Sequence, residues 1–267
     1  MDFLTADPPF TSGTPASTPA VVFESGGEQL LGVLHRPAGD GPHPIVVLLH
    51  GFPGNERNFD LAQALRRAGY AALVFHYRGS WGVGGSWSWA NVLADAARVV
   101  ANVRSLEGLD PGRLAVVGHS VGGFAALMTA AADPAVGAVA SIAGFDLGTA
   151  ATLCQADPAF RAALVADFSD DLLPLRGTSG EALIAEAEAA GPAWQLAGRA
   201  PQLAGRPVLL IGTGRDPVAP VDVHHRPLVK AYSASRLVHT VFPTDHALSD
   251  HRIALARTVV DFLDSAW

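Results

Sequence analysis

At 267 residues, 49% hydrophobic and 16% charged, the chain is long enough to bury a large core and suits one α/β domain carrying an insertion. Its net charge of −7, with no Lys/Arg-rich run, excludes the usual signature of a nucleic-acid partner. A lone cysteine, Cys154, excludes an internal disulfide framework, and no run approaches the roughly 18 apolar residues of a membrane span.

Residues 1–19 are rich in Pro, Thr and Ser and lack the basic start and apolar centre of a signal peptide. They read as a flexible arm, and the cytoplasm is the expected location. "AVVFESGGEQLLGVLHRP" then reads as two strands joined at Gly26-Gly27. "HPIVVLLHG" is a short apolar run of the kind buried on both faces of a sheet. "ERNFDLAQALRRAG" reads as a helix, "YAALVFHYRG" as a buried strand, and "WANVLADAARVVANVRSLEG" as a helix with Val92, Ala96, Val99 and Val103 on one side. "GRLAVVGHS", "VGGFAALMTAAAD" and "PAVGAVASIAG" continue as strand, helix and strand. From Phe145 to about Leu203 the alternation stops and only helical pieces follow, such as "SGEALIAEAEAAG" and "PAWQLAGRAPQL". It resumes with the strands "RPVLLIGTGRD" and "SRLVHTVFP" and a closing helix.

Alternating strands and helices with short links predict a doubly wound, mostly parallel sheet with helices on both faces. The predicted core is 20–144 and 204–267, with 145–203 inserted as a helical cap.

The chemistry centres on "GHSVGG". A serine on a tight strand-to-helix turn is strained, and its neighbours two residues away on either side must be small. Gly118 and Gly122 satisfy this around Ser120, and the helix that follows aims its N–H groups at the hydroxyl. Ser120 is therefore read as a nucleophile rather than a helix-capping serine. It needs a base. Among the ten histidines, His246 lies soon after the last strand and is preferred, with Asp245 before it. His251 falls at the start of the final helix, His239 should be packed within its strand, His224-His225 should be solvated, and His119 should pack beneath the elbow. A buried carboxylate must orient the base. Asp216, on the loop after "PVLLIGTG", is the best candidate, and Asp222 the runner-up. Two backbone N–H groups should meet the developing oxyanion, from Val121 and from Phe52 in "HGFPG". A histidine base must be neutral, so activity is expected to fall on acidification through roughly pH 6–7, around the ordinary histidine value of ~6.5.

The motifs "HGFPG", "GHSVGG", "GRDPVAP" and "TDHALSDHR", in that order, resemble the α/β-hydrolase fold superfamily of serine hydrolases over Val21 to Trp267. The hairpin and "HYRGSWGVGGSWS" resemble small bacterial prolyl-oligopeptidase-like and dienelactone-hydrolase-like esterases. The resemblance implies a carboxylesterase that forms an acyl-serine on a small-molecule ester substrate, with no cofactor and no metal. A serine nucleophile speaks against a haloalkane dehalogenase or a cysteine-type dienelactone hydrolase. With no β-propeller, ester hydrolysis is favoured over an amidase or peptidase reading, and a non-catalytic binding protein is the remote alternative. Monomer and homodimer both stay open. In the glycine-rich loop from Tyr77 to Trp89, Trp81, Trp87 and Trp89 either wall the substrate site or anchor the loop. Trp194 is a further candidate for the wall, and Arg78 should pair with a core carboxylate.

Overall fold

The computed structural model describes residues 2–4, 6–8 and 13–267. Its centre is an eight-stranded sheet. The strands are β1 (Ala20–Ser25), β2 (Glu28–His35), β3 (His43–Leu49), β4 (Ala71–Phe75), β5 (Leu109–His119), β6 (Ala138–Ile142), β7 (Pro207–Thr213) and β8 (Arg236–Phe242). Their order across the sheet is β1-β2-β4-β3-β5-β6-β7-β8. β1 pairs antiparallel with β2 and β2 antiparallel with β4, while every later pairing is parallel. The β1–β2 turn has Gly26 at φ 56° and Gly27 at φ 84°, the two left-handed positions that make a Gly-Gly pair a tight hairpin.

The apolar runs are continuous because both faces are covered. In β3, Ile45, Val47 and Leu49 join the core on one side of the sheet while Val46 and Leu48 join the core on the other. β7 divides in the same way, Val208 and Leu210 against Leu209 and Ile211. One face is covered by α1 (Phe59–Arg67) and α8 (Arg252–Asp264), the other by α2 (Trp89–Val103) and α3 (Val121–Ala132). α2 starts where a side chain can cap it: Ser88 Oγ accepts the Asn91 N–H at 3.1 Å. β8 closes the sheet as a mostly exposed edge strand, and His239 is exposed on it rather than packed.

Between β6 and β7 the described residues contain no strand. α4 (Leu147–Ala156), α5 (Pro158–Asp170) and α6 (Gly180–Ala190) follow one another, then two 3₁₀ turns at Gly191–Trp194 and Leu196–Leu203. Asp146, Asp157 and Ser179 cap the three helices in turn. Arg161 on α5 bonds to both Glu181 and Glu188 of α6, tying the two together. After β7 come a wide helical turn, Val221–His225, and α7 (Arg226–Ala231).

Part of the expected N-terminal arm, residues 1, 5 and 9–12, lies outside the described residues. Its described part meets the core: Phe3 and Leu4 pack beside α1 and α8, and Arg67 Nε donates to the Phe3 carbonyl at 2.6 Å.

Candidate active site

The site is built on the carboxyl ends of parallel strands, where ligands meet open α/β sheets. β5 runs straight into α3, and Ser120 is the joint, at φ 58°, ψ −125°. This is a strained conformation for a residue with a side chain, and the surroundings hold it. The Ser120 N–H donates to the Ile142 carbonyl at 2.9 Å, and its own carbonyl accepts from Gly123 and Phe145. The flanking glycines are sterically required. A Cβ on Gly118 would lie 1.9 Å from the Gly122 oxygen, and one on Gly122 would lie 2.0 Å from the Leu49 oxygen.

The loop after β3 comes equally close. A Cβ on Gly51 would stand 2.7 Å from Ser120 Cβ and 3.2 Å from its Oγ. This contact carries Phe52 to the serine. Val121 opens α3, so its N–H has no partner within the helix.

Asp216 lies on the turn after β7, its side chain fully buried. Oδ1 accepts the Val218 and Ala219 N–H groups at 2.8 and 3.0 Å. Oδ2 accepts the Thr213 hydroxyl at 2.6 Å and the Nδ1–H of His246 at 2.7 Å. Burial, the largest single influence, pushes the Asp216 carboxyl up. The hydrogen bond and charge of His246, with the Thr213 and Ala219 donors, overcome it and hold the pKa near about 2. With Nδ1 donating to Asp216, neutral His246 has Nε2 as an acceptor. The backbone of His246 is fixed separately: His119 Nε2 donates to the His246 carbonyl at 2.8 Å. His119 lies buried beneath the elbow, and burial, then the nearness of His246, lowers its pKa to about 3.

The neighbouring acids and histidine point elsewhere. The Asp245 carboxylate turns to Ser249, accepting its N–H at 2.8 Å and its hydroxyl at 2.7 Å. Asp222 is exposed and pairs with Arg226 at 2.6 Å. His251 bonds to Asp250 at 2.8 Å, at the start of α8.

Ser120 and His246 open onto one cavity of about 560 Å³, also lined by Phe52 and Val121. Its apolar wall comes from Phe145, Leu164 and Phe168, the last two on α5. Asp167, Asp170 and Asp171 stand at its exposed rim, and no Lys or Arg lines it. A larger, open hollow of about 950 Å³ beside the β1–β2 turn, lined by polar residues and glycines with Leu31 and Ala94, lies away from Ser120. Among the described residues, no group of three or more His, Cys, Asp or Glu side chains is placed to hold a metal ion.

None of the four tryptophans lines this cavity: of the two roles open to Trp81, Trp87 and Trp89 the structure shows the anchoring one, and the expectation that Trp194 joins the wall is corrected. Trp87 and Trp89 are buried behind it, their rings against Phe52 at 6.3 and 5.9 Å, and Trp89 meets Phe168 at 5.6 Å. The Trp89 indole N–H donates to the Leu183 carbonyl of α6 at 3.0 Å, so the ring anchors the loop to the insertion. Trp81 braces the loop after β3, donating to the Pro53 carbonyl at 2.9 Å with the Arg57 guanidinium 4.4 Å from its ring centre. Trp194 packs on Phe124 of α3 at 5.8 Å. Large rings in a glycine-rich loop were drawn into the core by their area, not outward to a ligand. Arg78 does pair with a core carboxylate, donating from Nε to buried Asp95 at 2.7 Å.

His224 and His225 are a second correction: both are buried. His224 stacks on Phe145 with ring centres 4.6 Å apart and lines the cavity. His225 lies over Gly212, whose position would put a Cβ 3.0 Å from the ring. Neither this role for His224 nor the α5 wall was visible in the sequence. The only hint was an adjacent His-His pair downstream of Asp216.

A serine on a strained strand-to-helix turn, a histidine oriented by a buried carboxylate and a cavity at the strand ends sit together on a doubly wound α/β fold. The chain belongs to the alpha/beta hydrolase fold family, which matches residues 44–197. It is 33% identical over 141 residues to the quorum-quenching protein AidA of Acinetobacter baumannii, a match covering 51% of this chain and 46% of that protein. It is 31% identical over 114 residues to the 2,6-dihydropseudooxynicotine hydrolase of Paenarthrobacter nicotinovorans, covering 41% of this chain and 30% of the other. These matches therefore span less than half the length of the curated relatives. In fold, the chain is similar to Est1E of Butyrivibrio proteoclasticus bound to ferulic acid, with a TM-score of 0.74 and 18% identity over 92% of this chain and 99% of the other. It is also similar to acetyl xylan esterase 1 of Thermoanaerobacterium, with a TM-score of 0.68 and 19% identity over 97% of this chain and 86% of the other. No helix among the described residues is long and apolar enough to cross a membrane.

Proposed function

We infer that the protein is a serine carboxylester hydrolase acting on small, uncharged or cationic acyl substrates. The observation that carries this reading is the Asp216–His246 hydrogen bond of 2.7 Å, set on the same cavity as a serine held at φ 58° between two obligatory glycines.

In this reading His246 Nε2 takes the Ser120 proton as Oγ bonds to the ester carbonyl carbon. The carbonyl oxygen becomes an oxyanion facing the Phe52 and Val121 N–H groups. As the C–O bond to the alcohol breaks, His246 returns its proton to the leaving oxygen. Water then attacks the acyl-serine by the same route, releasing the acid and regenerating Ser120. Asp216, already ionised, stabilises the imidazolium without taking its proton. The insertion acts as a cap, its α5 wall sizing the acyl group. The carboxylates at the rim and the lack of a lining cation disfavour acyl groups that carry a carboxylate. The cytoplasm remains the proposed location, on the strength of one cysteine, buried and free, where a secreted chain would often carry a disulfide frame.

The test is hydrolysis of p-nitrophenyl esters from acetate to palmitate beside amino-acid p-nitroanilides, with wild type and Ser120→Ala. Ester turnover that disappears in the variant supports the reading. Anilide turnover of equal efficiency would move the assignment to an amidase or peptidase. Folded protein inert to both series and to a fluorophosphonate label would leave a binding role.

A further inference from the structure

The cavity holds a second histidine that the acyl-transfer steps leave unused. His224 is about 5% exposed, yet it is part of the lining. One nitrogen is assigned by its partner. The Asp146 backbone N–H donates to His224 Nδ1 at 3.1 Å, and a backbone N–H can only donate. Nδ1 is therefore unprotonated, and the proton of the neutral ring sits on Nε2. Nε2 has no hydrogen-bond partner among the described residues, nor is it one of the sealed, unpartnered side-chain atoms; it stays open on the cavity side.

The ring is also held by two contacts. Phe145 stacks on it at 4.6 Å and 25°, and Asp146 caps α4 through its carboxylate while presenting the N–H that holds Nδ1. Burial lowers the His224 pKa to about 4, which keeps the ring neutral at ordinary pH. A fixed Nε2–H donor thus faces a cavity whose other walls are mainly apolar. A buried donor left without a partner penalises any substrate that cannot satisfy it.

We propose that His224 is a specificity residue that donates its Nε2–H to an acceptor oxygen on the substrate, other than the oxygen of the scissile carbonyl. The preferred substrate class is then an ester whose apolar group carries one carbonyl, hydroxyl or ether oxygen within reach of His224. This rests on the serine-esterase reading, and it makes the cavity selective for more than size.

The experiment uses p-nitrophenyl hexanoate and its isosteres in which an ether oxygen replaces one methylene at successive positions. For each pair the kcat/KM ratio, oxa over all-carbon, is measured in wild type, His224→Phe, His224→Asn and His224→Gln. Dividing the wild-type ratio by the variant ratio cancels the intrinsic reactivity of each ester. Phenylalanine keeps the ring and removes both nitrogens. Asparagine keeps an acceptor for the Asp146 N–H but places no donor where Nε2 was. Glutamine restores a donor near that point. At one oxygen position the wild-type preference should exceed that of the Phe and Asn variants by about tenfold, and the Gln variant should recover most of it. Equal ratios at every position in wild type and Asn variant overturn the proposal, even if the Phe variant fails to fold.

The same esters are titrated onto Ser120→Ala protein, with and without His224→Asn, and the ratio of Kd values is read without turnover. A tenfold loss of oxa preference there supports the donor even if wild type hydrolyses neither series, an outcome that would sink only the esterase reading. An unchanged Kd ratio, with ester hydrolysis intact, sinks only the role of His224.

Discussion

The sheet and the insertion contribute different things to one cavity. Ser120, Asp216 and His246 follow β5, β7 and β8, whose parallel pairing in one sheet sets the three positions; β7 and the end of β5 are buried on both faces, while β8 is the exposed edge. The insertion supplies surface: Leu164 and Phe168 on α5, with Phe168 alone fully buried among that helix's residues. In the proposed mechanism the sheet sets where the reacting atoms stand, and the helices between β6 and β7 set what can lie beside them. Substitutions at the strand ends should therefore act on kcat for every substrate, whereas substitutions in α5 should reorder substrates.

The largest effect is expected at Ser120, the proposed nucleophile. Ser120→Ala should lower kcat by about 10⁴-fold or more while leaving Tm within a few degrees, measured by ester hydrolysis beside thermal unfolding. A variant that retains a tenth of the activity would remove Ser120 from the chemistry. Asp216→Asn comes next, at about 10³-fold. An amide nitrogen facing His246 Nδ1 would favour the tautomer with its proton on Nε2, which cannot accept from serine. Because Asp216 is held ionised down to about pH 2, its own titration should leave the rate untouched above about pH 4. An acid limb of the wild-type profile in that upper range belongs to a histidine.

On the insertion, Leu164→Trp should narrow the cavity. Octanoate and longer p-nitrophenyl esters should lose about tenfold in kcat/KM while acetate changes less than about threefold. A uniform loss across chain lengths would erase the division between the two regions. Leu164 is half-buried, so the stability cost should stay near or below about 1 kcal/mol, read from urea midpoints.

The same division explains what was legible in the sequence. Gly118, Ser120 and Gly122 announce themselves because a strained turn with backbone 1.9–2.0 Å from any added Cβ admits almost nothing else. The strands were readable because burial on two faces forces unbroken apolar runs, as in "PIVVLL". α5 is not legible in the sequence because its apolar residues spread around the helix and only Phe168 is buried, so no stripe marks the face toward the cavity. For a related reason the sequence leaves Trp87 and Trp89 open between wall and anchor. Composition shows that a ring must be buried somewhere, but not whether it fronts the cavity or backs the residue that does. His224 was misread because its meaning comes from Asp146, 78 residues away in the chain and invisible to local pattern.

A last effect falls on stability and concerns buried histidines at the ends of the parallel strands. His119 and His50 are buried, and burial brings each to a pKa of about 3. A base whose pKa is lower in the folded state binds its proton more tightly when unfolded. Their contribution to stability is therefore complete above about pH 6.5, falls as the pH drops toward 3, and stops changing below that. Over this window each should cost about 1.4 kcal/mol per pH unit. Urea midpoints at half-unit steps from pH 7 to 4 should fall with a slope of at least two protons, since His224 and His225 add to it in the same direction. His119→Gln keeps a donor for the His246 carbonyl and removes one titrating group, so the slope should drop by about one proton. An unchanged slope would mean that His119 binds its proton as readily in the folded state as in the unfolded one. A positive charge would then form beneath the elbow, beside Ser120, as the pH falls through about 6.5, and the mechanism would have to account for it.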